Sequence, residues 1–424
     1  MTDAPNTTAA QTTAGLLTTA DGRPLKLALA EAQTRAKRRA FWLVAPLLAF
    51  VLISFFVPIG QMLHRSIHHD GFSANAPAVA EWFAANPVGT APDEAAFAAL
   101  AADFQAMQKN KTAGEAGTRV NYTLPETRSM ITKTARNADE LVPPYKEAFL
   151  AVDPKWADPA VWQAMRSSSS AYTTDFYLIA MDRTRGPDGS IQMANENKQI
   201  YLYLFAKTFV LSALITFICL LLAFPVAHLL ATLPMAKANL LMILVLLPFW
   251  TSLLVRTTSW IVLLQGQGVL NEIFVALGLI GDDGRLKMIY NQTGTIIVMT
   301  HVLLPFMILP LYSVMRVIPP SYARAARSLG ATSWTTFRRI YLPQTLPGIG
   351  AGALLVFILA VGYYITPALV GGADGQLISN LIDFHMDNSN WSLAAALSAM
   401  LLVGVLILYW LYDRLIGIDN LKLG

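Results

Sequence analysis

The chain has 424 residues, of which 54% are hydrophobic and 14% are charged, whereas soluble domains carry about 25% charged residues. The formal net charge is +4, and the single cysteine, Cys219, excludes an intrachain disulfide. No nucleic-acid-binding motif is present. These numbers exclude an ordinary soluble domain and predict a membrane protein.

Six apolar segments approach the length of about 20 residues that crosses a hydrocarbon core. Residues 1–40 are predicted to be an N-terminal tail with a basic end. The first span, 41–63, is too long for a signal-peptide core and is predicted to be an uncleaved anchor. A polar insert at 64–200 precedes a core at 201–415 and a tail at 416–424. The core spans are predicted at 203–230, 240–264, 293–314, 346–370 and 393–412.

Basic residues lie mostly on one side of this predicted topology. The short outer loops contain only Arg285 and Lys287. The bias predicts that both chain termini are cytoplasmic, because short cytoplasmic segments are enriched in Lys and Arg. The cytoplasmic side would hold Arg35, Lys37, Arg38, Arg39, Lys237, Arg316, Arg324, Arg327, Arg338, Arg339, Arg414 and Lys422.

The insert is long enough to form a modest domain. Residues 92–108 predict an amphipathic helix with apolar side chains on one side. Six aromatic residues are candidates for a small core. They are Trp82, Trp156, Trp162, Tyr172, Phe176 and Tyr177.

None of the six predicted spans contains Asp or Glu. Ion-coupled carriers usually need buried carboxylates, so this absence argues against that class. Lys207 and His228 lie near predicted interfaces, where they can reach water. His301 is interpreted as a packing residue or a pathway residue. Arg256 is deeper, and two readings stay open: pairing with backbone carbonyls or a neighbouring chain, or a role in a pathway.

The polar loop 319–343 separates two apolar spans and predicts two short helices. Ser321 is a plausible N-cap, and Tyr322, Ala325, Ala326 and Leu329 share one helix face. Gly330 is placed as the left-handed residue that ends the first helix. The second helix is predicted from Ser333 to Leu342–Pro343. Such a helix lies either on lipid headgroups or on a partner protein.

No phosphate-binding loop of the G-x-x-x-x-G-K-[ST] type occurs in the chain. ATP, if it drives this protein, must therefore be hydrolysed by another subunit. No His, Cys, Asp or Glu cluster has metal-ligand spacing, and no catalytic triad is evident, so neither a metal site nor a catalytic residue is predicted.

Loop 319–343 resembles the hallmark loop of the membrane permeases of bacterial ATP-binding-cassette importers. That loop reads E-A-A, three residues, G, nine residues, I-x-L-P. Arg324 stands where the family usually has Glu. The matching positions are Ala325, Ala326, Gly330, Ile340, Leu342 and Pro343.

Four further segments are similar to spermidine/putrescine-type permeases. They are 247–257, 303–307, 309–312 and 366–372. The similarity covers about residues 201–415 and the first span. The insert is longer than the usual first outer loop of the family.

The resemblance implies an all-α polytopic protein of the bacterial inner membrane, with the six transmembrane helices of the type I importer permease fold and a large periplasmic insert. Loop 319–343 would dock on a cytoplasmic ATPase dimer that binds ATP and Mg²⁺, so this chain itself would need no cofactor. A second related permease and a periplasmic solute-binding protein are the other implied partners, besides the lipid bilayer. The insert either decorates the permease, seats the binding protein or caps the pathway.

The substrate class stays open between a polyamine and a quaternary amine, amino-acid or opine-like solute. Polyamine-type members often carry an acidic residue just before the Thr-Pro of the fifth span, where this chain has Tyr363 and Tyr364. A cation would then rely on aromatic faces. Trp250, Arg256, Tyr363 and Tyr364 are the predicted pathway residues. The rival hypothesis is an ion-coupled secondary carrier.

Overall fold

A computed structural model describes residues 25–186, 188–196 and 199–416. The chain divides into two compact units, residues 1–61 and 62–424. Helix α1 (Leu25–Val51) is followed by a π-helical turn, Leu52–Phe56, and by α2 (Val57–Ile67). Helix α1 begins well before residue 41, where the first span is predicted to start. The Ala-rich residues 25–40 favour a helix and extend it. Residues 1–24 of the predicted N-terminal tail, and 417–424 with Lys422, lie outside the described residues.

The insert is a small helical domain. Its aromatic core buries Phe97, Phe104, Phe149, Trp156 and Trp162. This confirms Trp156 and Trp162 among the three predicted core tryptophans, and the third, Trp82, is half-buried against the same core. Its elements are α3 (Pro77–Ala85), α4 (Glu94–Asn110), α5 (Ala113–Thr123), α6 (Thr127–Arg136), α7 (Tyr145–Val152), α8 (Pro159–Ser168), α9 (Asp175–Ala180) and an antiparallel hairpin of β1 (Arg183–Arg185) with β2 (Ile191–Met193).

The predicted insert helix is confirmed as α4, with a small shift in its ends. The Asp93 carboxylate accepts a hydrogen bond from the Ala96 N–H at 2.9 Å and caps the first turn. The prediction for Tyr172 is wrong, since its side chain is 64% exposed. Phe176 and Tyr177 pack not in the insert core but against the transmembrane helices described next.

Helix α9 of the insert packs against the long helices α10 (Tyr201–Thr232) and α20 (Trp391–Ile416). The Asp182 carboxylate accepts hydrogen bonds from the first two backbone N–H groups of α10, at 3.0 and 2.9 Å. The Tyr122 hydroxyl donates to the Ser389 carbonyl at 2.9 Å. The insert is therefore joined to the start of two membrane helices rather than tethered by flexible linkers.

The centre of the helical core is formed by α10, α14 (Gln292–Val317) and α17 (Leu342–Val361). Glycines allow α17 to approach α14 closely: a Cβ at Gly348 would lie 3.1 Å from the Pro310 carbonyl oxygen. Cys219 is buried at this centre, as expected for a packing residue.

The third predicted span, 240–264, is not one straight helix. It is a pair of helical segments, Met235–Trp250 and Leu253–Ala276, bent by 97°. The first contains α11 (Met235–Leu246) and a 3₁₀ turn, and the second contains α12 (Leu253–Leu264) and α13 (Val269–Ala276). The chain breaks here because Pro248 lacks a backbone N–H and because Ser252 caps α12. Five described helices are long and apolar enough to cross a membrane, or six if this bent pair is one span.

The fifth predicted span, 346–370, is also placed differently. One continuous helix of 29 residues runs over Ser333–Val361 and includes α16 (Ser333–Thr336), a π-helical turn and α17. It ends at Gly362, and α18 (Ile365–Val370) is a separate short helix. Helix α15 (Pro320–Ser328) lies before it and α19 (Ile378–Asp387) after it.

Candidate functional site

Helix α15 presents an exposed, two-sided surface. None of its residues is buried, and Tyr322 and Leu329 are 52% and 89% exposed. The arginines Arg324 and Arg327 are exposed as well. The predicted apolar face therefore exists, but within the described chain it is left open. The predicted N-cap Ser321 is wrong: the helix begins at Pro320, whose fixed φ suits a first turn.

Gly330 ends α15 in the left-handed region, with φ of +87°, which confirms its predicted conformation. The Gly330 N–H donates to the Arg327 carbonyl and the Ala331 N–H to the Ala326 carbonyl, both at 3.0 Å. These two bonds form a Schellman motif, which satisfies the last carbonyls of the helix. The direction in which α15 meets the next helix is thus set by one residue.

The second helix of the loop starts as predicted, with Thr332 as its N-cap. It does not end at Leu342–Pro343, however, but continues into α17 through a π-helical turn over Phe337–Tyr341. Pro343 is tolerated there because it falls in the first turn of the α-helical part.

Aromatic contacts fasten this second segment to α10. The Phe337 ring meets the Phe224 ring edge-on at 5.9 Å, and the Tyr341 hydroxyl is hydrogen-bonded to His228 Nδ1 at 2.8 Å. Trp334 stacks on Phe337 and remains 68% exposed. The loop therefore has an exposed half, α15, and a half that is fixed to the membrane helices.

The predicted loop residues divide between these two halves. Arg324 and Ala325 are exposed, and Ala326 is half-buried. In the second half, Ile340 and Leu342 are half-buried and Pro343 is exposed. Sequence reasoning missed His228 and Phe224 as partners of the loop, because only the fold brings α10 beside it.

Arg256 holds the 97° bend together. Its Nη2 group donates to the carbonyl of Thr251 at 3.0 Å and also to the carbonyl of Pro248. The Pro248 carbonyl also accepts from the Thr251 N–H and hydroxyl, so the Thr251 carbonyl gains most from the Arg256 donor inside a membrane. The structural alternative for Arg256, pairing with backbone carbonyls, is what the structure shows. Trp250, beside the bend, is 86% exposed.

Tyr363 and Tyr364 occupy the break between α17 and α18. The Ser379 hydroxyl donates to the Tyr363 carbonyl at 2.6 Å, and the Asn380 amide donates to the Tyr364 carbonyl at 2.8 Å. Tyr363 is half-buried and Tyr364 is 41% exposed. Ser379 and Asn380 were not predicted, since nothing in the sequence pairs α19 with this break.

The structure brings Arg256 and Tyr363 into one neighbourhood. The Arg256 guanidinium lies within electrostatic range of both Tyr363 and His301. His301 accepts a hydrogen bond from the Trp260 indole N–H at 3.0 Å, so it is a packed and partnered side chain.

Lys207 donates to the carbonyl of Asp374 and lies 5.6 Å from the centre of the Tyr203 ring.

Comparison with known proteins gives a consistent group of relatives. Residues 190–416 match the family described as "binding-protein-dependent transport system inner membrane component". The chain is 37% identical over 222 residues to the spermidine/putrescine transport system permease protein PotB of Escherichia coli K12. The aligned segment covers 51% of this chain and 80% of that protein. It is 31% identical over 222 residues to the inner membrane ABC transporter permease protein YdcU of the same strain, which covers 50% and 70%. A solved bacterial ABC transporter involved in the import of alginate aligns at 18% identity with a TM-score of 0.46, over 68% of this chain and 97% of that one.

Proposed function

The chain belongs to the family of binding-protein-dependent transport system inner membrane components, and on this premise we propose that it forms the pathway of an ATP-driven importer for a polyamine-like solute. It is a multi-pass permease of the inner membrane.

The observation that carries the coupling proposal is the exposed helix α15. A nine-residue helix that leaves Tyr322 and Leu329 uncovered is expected to meet another surface. The sequence contains no phosphate-binding loop, and we propose that ATP and Mg²⁺ bind to a separate ATPase. We therefore assign to α15 the contact with that ATPase, through Arg324, Ala325, Ala326 and Gly330.

The second half of the loop is proposed to pass a displacement of α15 on to the membrane helices. Ile340, Leu342 and Pro343 belong to the same continuous helix as α17. A rigid helix carries a displacement along its length, so a shift of the loop is passed into the membrane core. Both chain termini are proposed to be cytoplasmic, on the same side as the ATPase.

The proposed substrate rests on the 37% identity to PotB, a spermidine/putrescine permease. The predicted spans offer such a cation no carboxylate, but exposed aromatic rings such as Trp250 and Tyr364 offer cation–π contacts. Arg256 and Tyr363 are the other proposed pathway residues. A periplasmic binding protein is proposed to deliver the solute, and a second related permease to complete the pathway.

Reconstitution tests this function. The chain, its neighbouring permease, the ATPase and the binding protein are placed in liposomes, and uptake of labelled spermidine and putrescine is measured with and without ATP. We expect uptake to require ATP and the binding protein. Uptake at full rate without ATP, driven by an ion gradient, would refute the proposal and favour a secondary carrier. A solute screen on the binding protein separates polyamines from amino-acid-like or quaternary-amine substrates.

A matched pair of variants tests the role of α15. Leu329→Ala removes an exposed side chain from α15, and Leu277→Ala removes one that is 68% exposed after α13. We expect only Leu329→Ala to weaken binding of the ATPase in pull-down experiments. Equal binding by both variants would contradict the assignment.

A further inference from the structure

Loop 319–343 carries charge of a single sign. It contains Arg324, Arg327, Arg338 and Arg339, and no Asp or Glu. All four arginines are exposed. A protein partner that covers this loop must therefore accept four positive charges without help from carboxylates of the loop itself.

The two arginines of α15 lie on one side of the helix, three residues apart. Arg324 is exposed, and the Arg327 Nε donates only a long bond of 3.3 Å to a backbone carbonyl. Tyr322 and Leu329 share the other stripe of the helix. The surface thus combines a cationic edge with an apolar stripe, and its complement is a groove with an apolar floor and an acidic wall.

Charge complementarity identifies the chemistry of that groove. Like charges brought together at an interface cost several kcal/mol, whereas opposite charges speed and orient association. We propose that the ATPase subunit that docks on α15 presents carboxylates to Arg324 and Arg327, so that Arg324 determines which ATPase this permease accepts. This inference rests on the proposed function, because it describes the partner assigned to the same surface.

A lipid surface fits the same helix less well. The strength of binding to headgroups grows with buried apolar area, and the centre of the apolar stripe consists of the small side chains Ala325 and Ala326. Small side chains instead let a partner backbone come close. The rigid Schellman ending at Gly330 likewise presents one fixed shape, which suits a protein groove.

The test compares charge reversals in the assembled transporter. The permease complex is held in nanodiscs of neutral lipid, and binding of the purified ATPase is measured at low and high salt. We expect Arg324→Glu to weaken binding by about tenfold or more, the loss of about one charge pair, while Arg324→Lys stays close to the unchanged chain. Binding of the unchanged chain should weaken as salt rises. Lys237→Glu is the matched control, since Lys237 is exposed at the start of α11 and should have little effect.

Reversing one acidic residue of the ATPase groove to Lys should restore binding to Arg324→Glu, and this rescue would support the proposal directly. Unchanged or tighter binding by Arg324→Glu would overturn it. A loss that appears only in nanodiscs with anionic lipid would also overturn it, in favour of headgroup binding. Failure of the unchanged chain to bind the ATPase at all would instead refute the proposed function, so the two failures are distinguishable.

Discussion

Replacing Gly330 by Ala perturbs the loop without filling any space. A Cβ at this position would have no heavy atom within 4 Å, so packing is unaffected. The cost comes from the backbone, because φ is +87° and an L-residue in the left-handed region costs about 1–2 kcal/mol. That cost lowers the ratio of formed to unformed helix endings by about 5- to 30-fold.

The chain contains a matched control for this change. Gly278 has φ of +68° and ends α13 with the same pair of Schellman bonds, from Gly278 to Val275 and from Leu279 to Phe274. A Cβ at Gly278 also meets nothing within 4 Å. Gly278→Ala therefore carries the same local cost at a place that the proposal keeps away from the ATPase.

The assay is the number of solute molecules transported per ATP hydrolysed in reconstituted transporters. We expect Gly330→Ala to lower this ratio several-fold and Gly278→Ala to leave it unchanged. Gly330→Asn should lie between Gly330→Ala and the unchanged chain, because Asn tolerates the left-handed region better than Ala. Equal ratios for the two Ala variants would refute the reasoning, as would global unfolding of the permease by Gly330→Ala.

Four further changes have expected outcomes. Gly348→Ala should destabilise the permease by about 1–3 kcal/mol in thermal unfolding, since its Cβ would lie 3.0 Å from a side chain of α14. Arg256→Met should lower stability by about 1–3 kcal/mol in the same measurement, because it removes the side-chain donor to the Thr251 carbonyl at the bend. Tyr341→Phe removes the bond to His228 and should lower the transport-to-ATP ratio while costing only about 0.5–1.5 kcal/mol of stability. Burial, and secondarily the charge of the neighbouring Arg119, lowers the pKa of His69 to about 4. The insert should therefore lose stability as the pH falls from 6.5 to 4, and His69→Gln should reduce this loss.

The sign of the pH effect follows from proton linkage. His69 is neutral in the folded insert down to about pH 4, while the unfolded chain binds a proton from about pH 6.5 downward. Its contribution is therefore complete above pH 6.5 and is lost as the pH falls toward 4, by about 1–2 kcal/mol once its partial exposure is allowed for. Hydrogen exchange of the insert measures this loss, and a pH dependence that persists in His69→Gln would contradict the assignment. Unchanged melting temperatures of the variants at positions 348 and 256 would contradict those two predictions. An unchanged transport-to-ATP ratio in Tyr341→Phe would contradict the third.

The sequence predicts the membrane class and the turn at Gly330, because both depend on local composition. Trp156 and Trp162 are core residues of the insert as predicted, since large aromatic rings bury the most apolar surface. The resemblance to importer permeases agrees with the family match over 190–416.

Long-range pairings could not be predicted in this way. A hydropathy pattern does not distinguish the bend at Pro248 from one continuous span, because apolar residues continue across it. The bend and the Arg256 contacts at it are seen only in the structure. The docking of α9 on α10 and α20 and the hold of α19 on the Tyr363–Tyr364 break likewise join segments that are distant in the chain. A local sequence pattern does not indicate which distant segments pack together.

The continuous helix from Ser333 to Val361 is long enough to act as a lever. Its 29 residues make a rod about 43 Å long at 1.5 Å per residue, with the loop at one end and the Tyr363 break just beyond the other. A tilt about a fulcrum near the Gly348 crossing with α14 would move both tips in opposite directions. The rod would thus turn a push at one membrane face into a counter-swing at the other, without any change in its own folding.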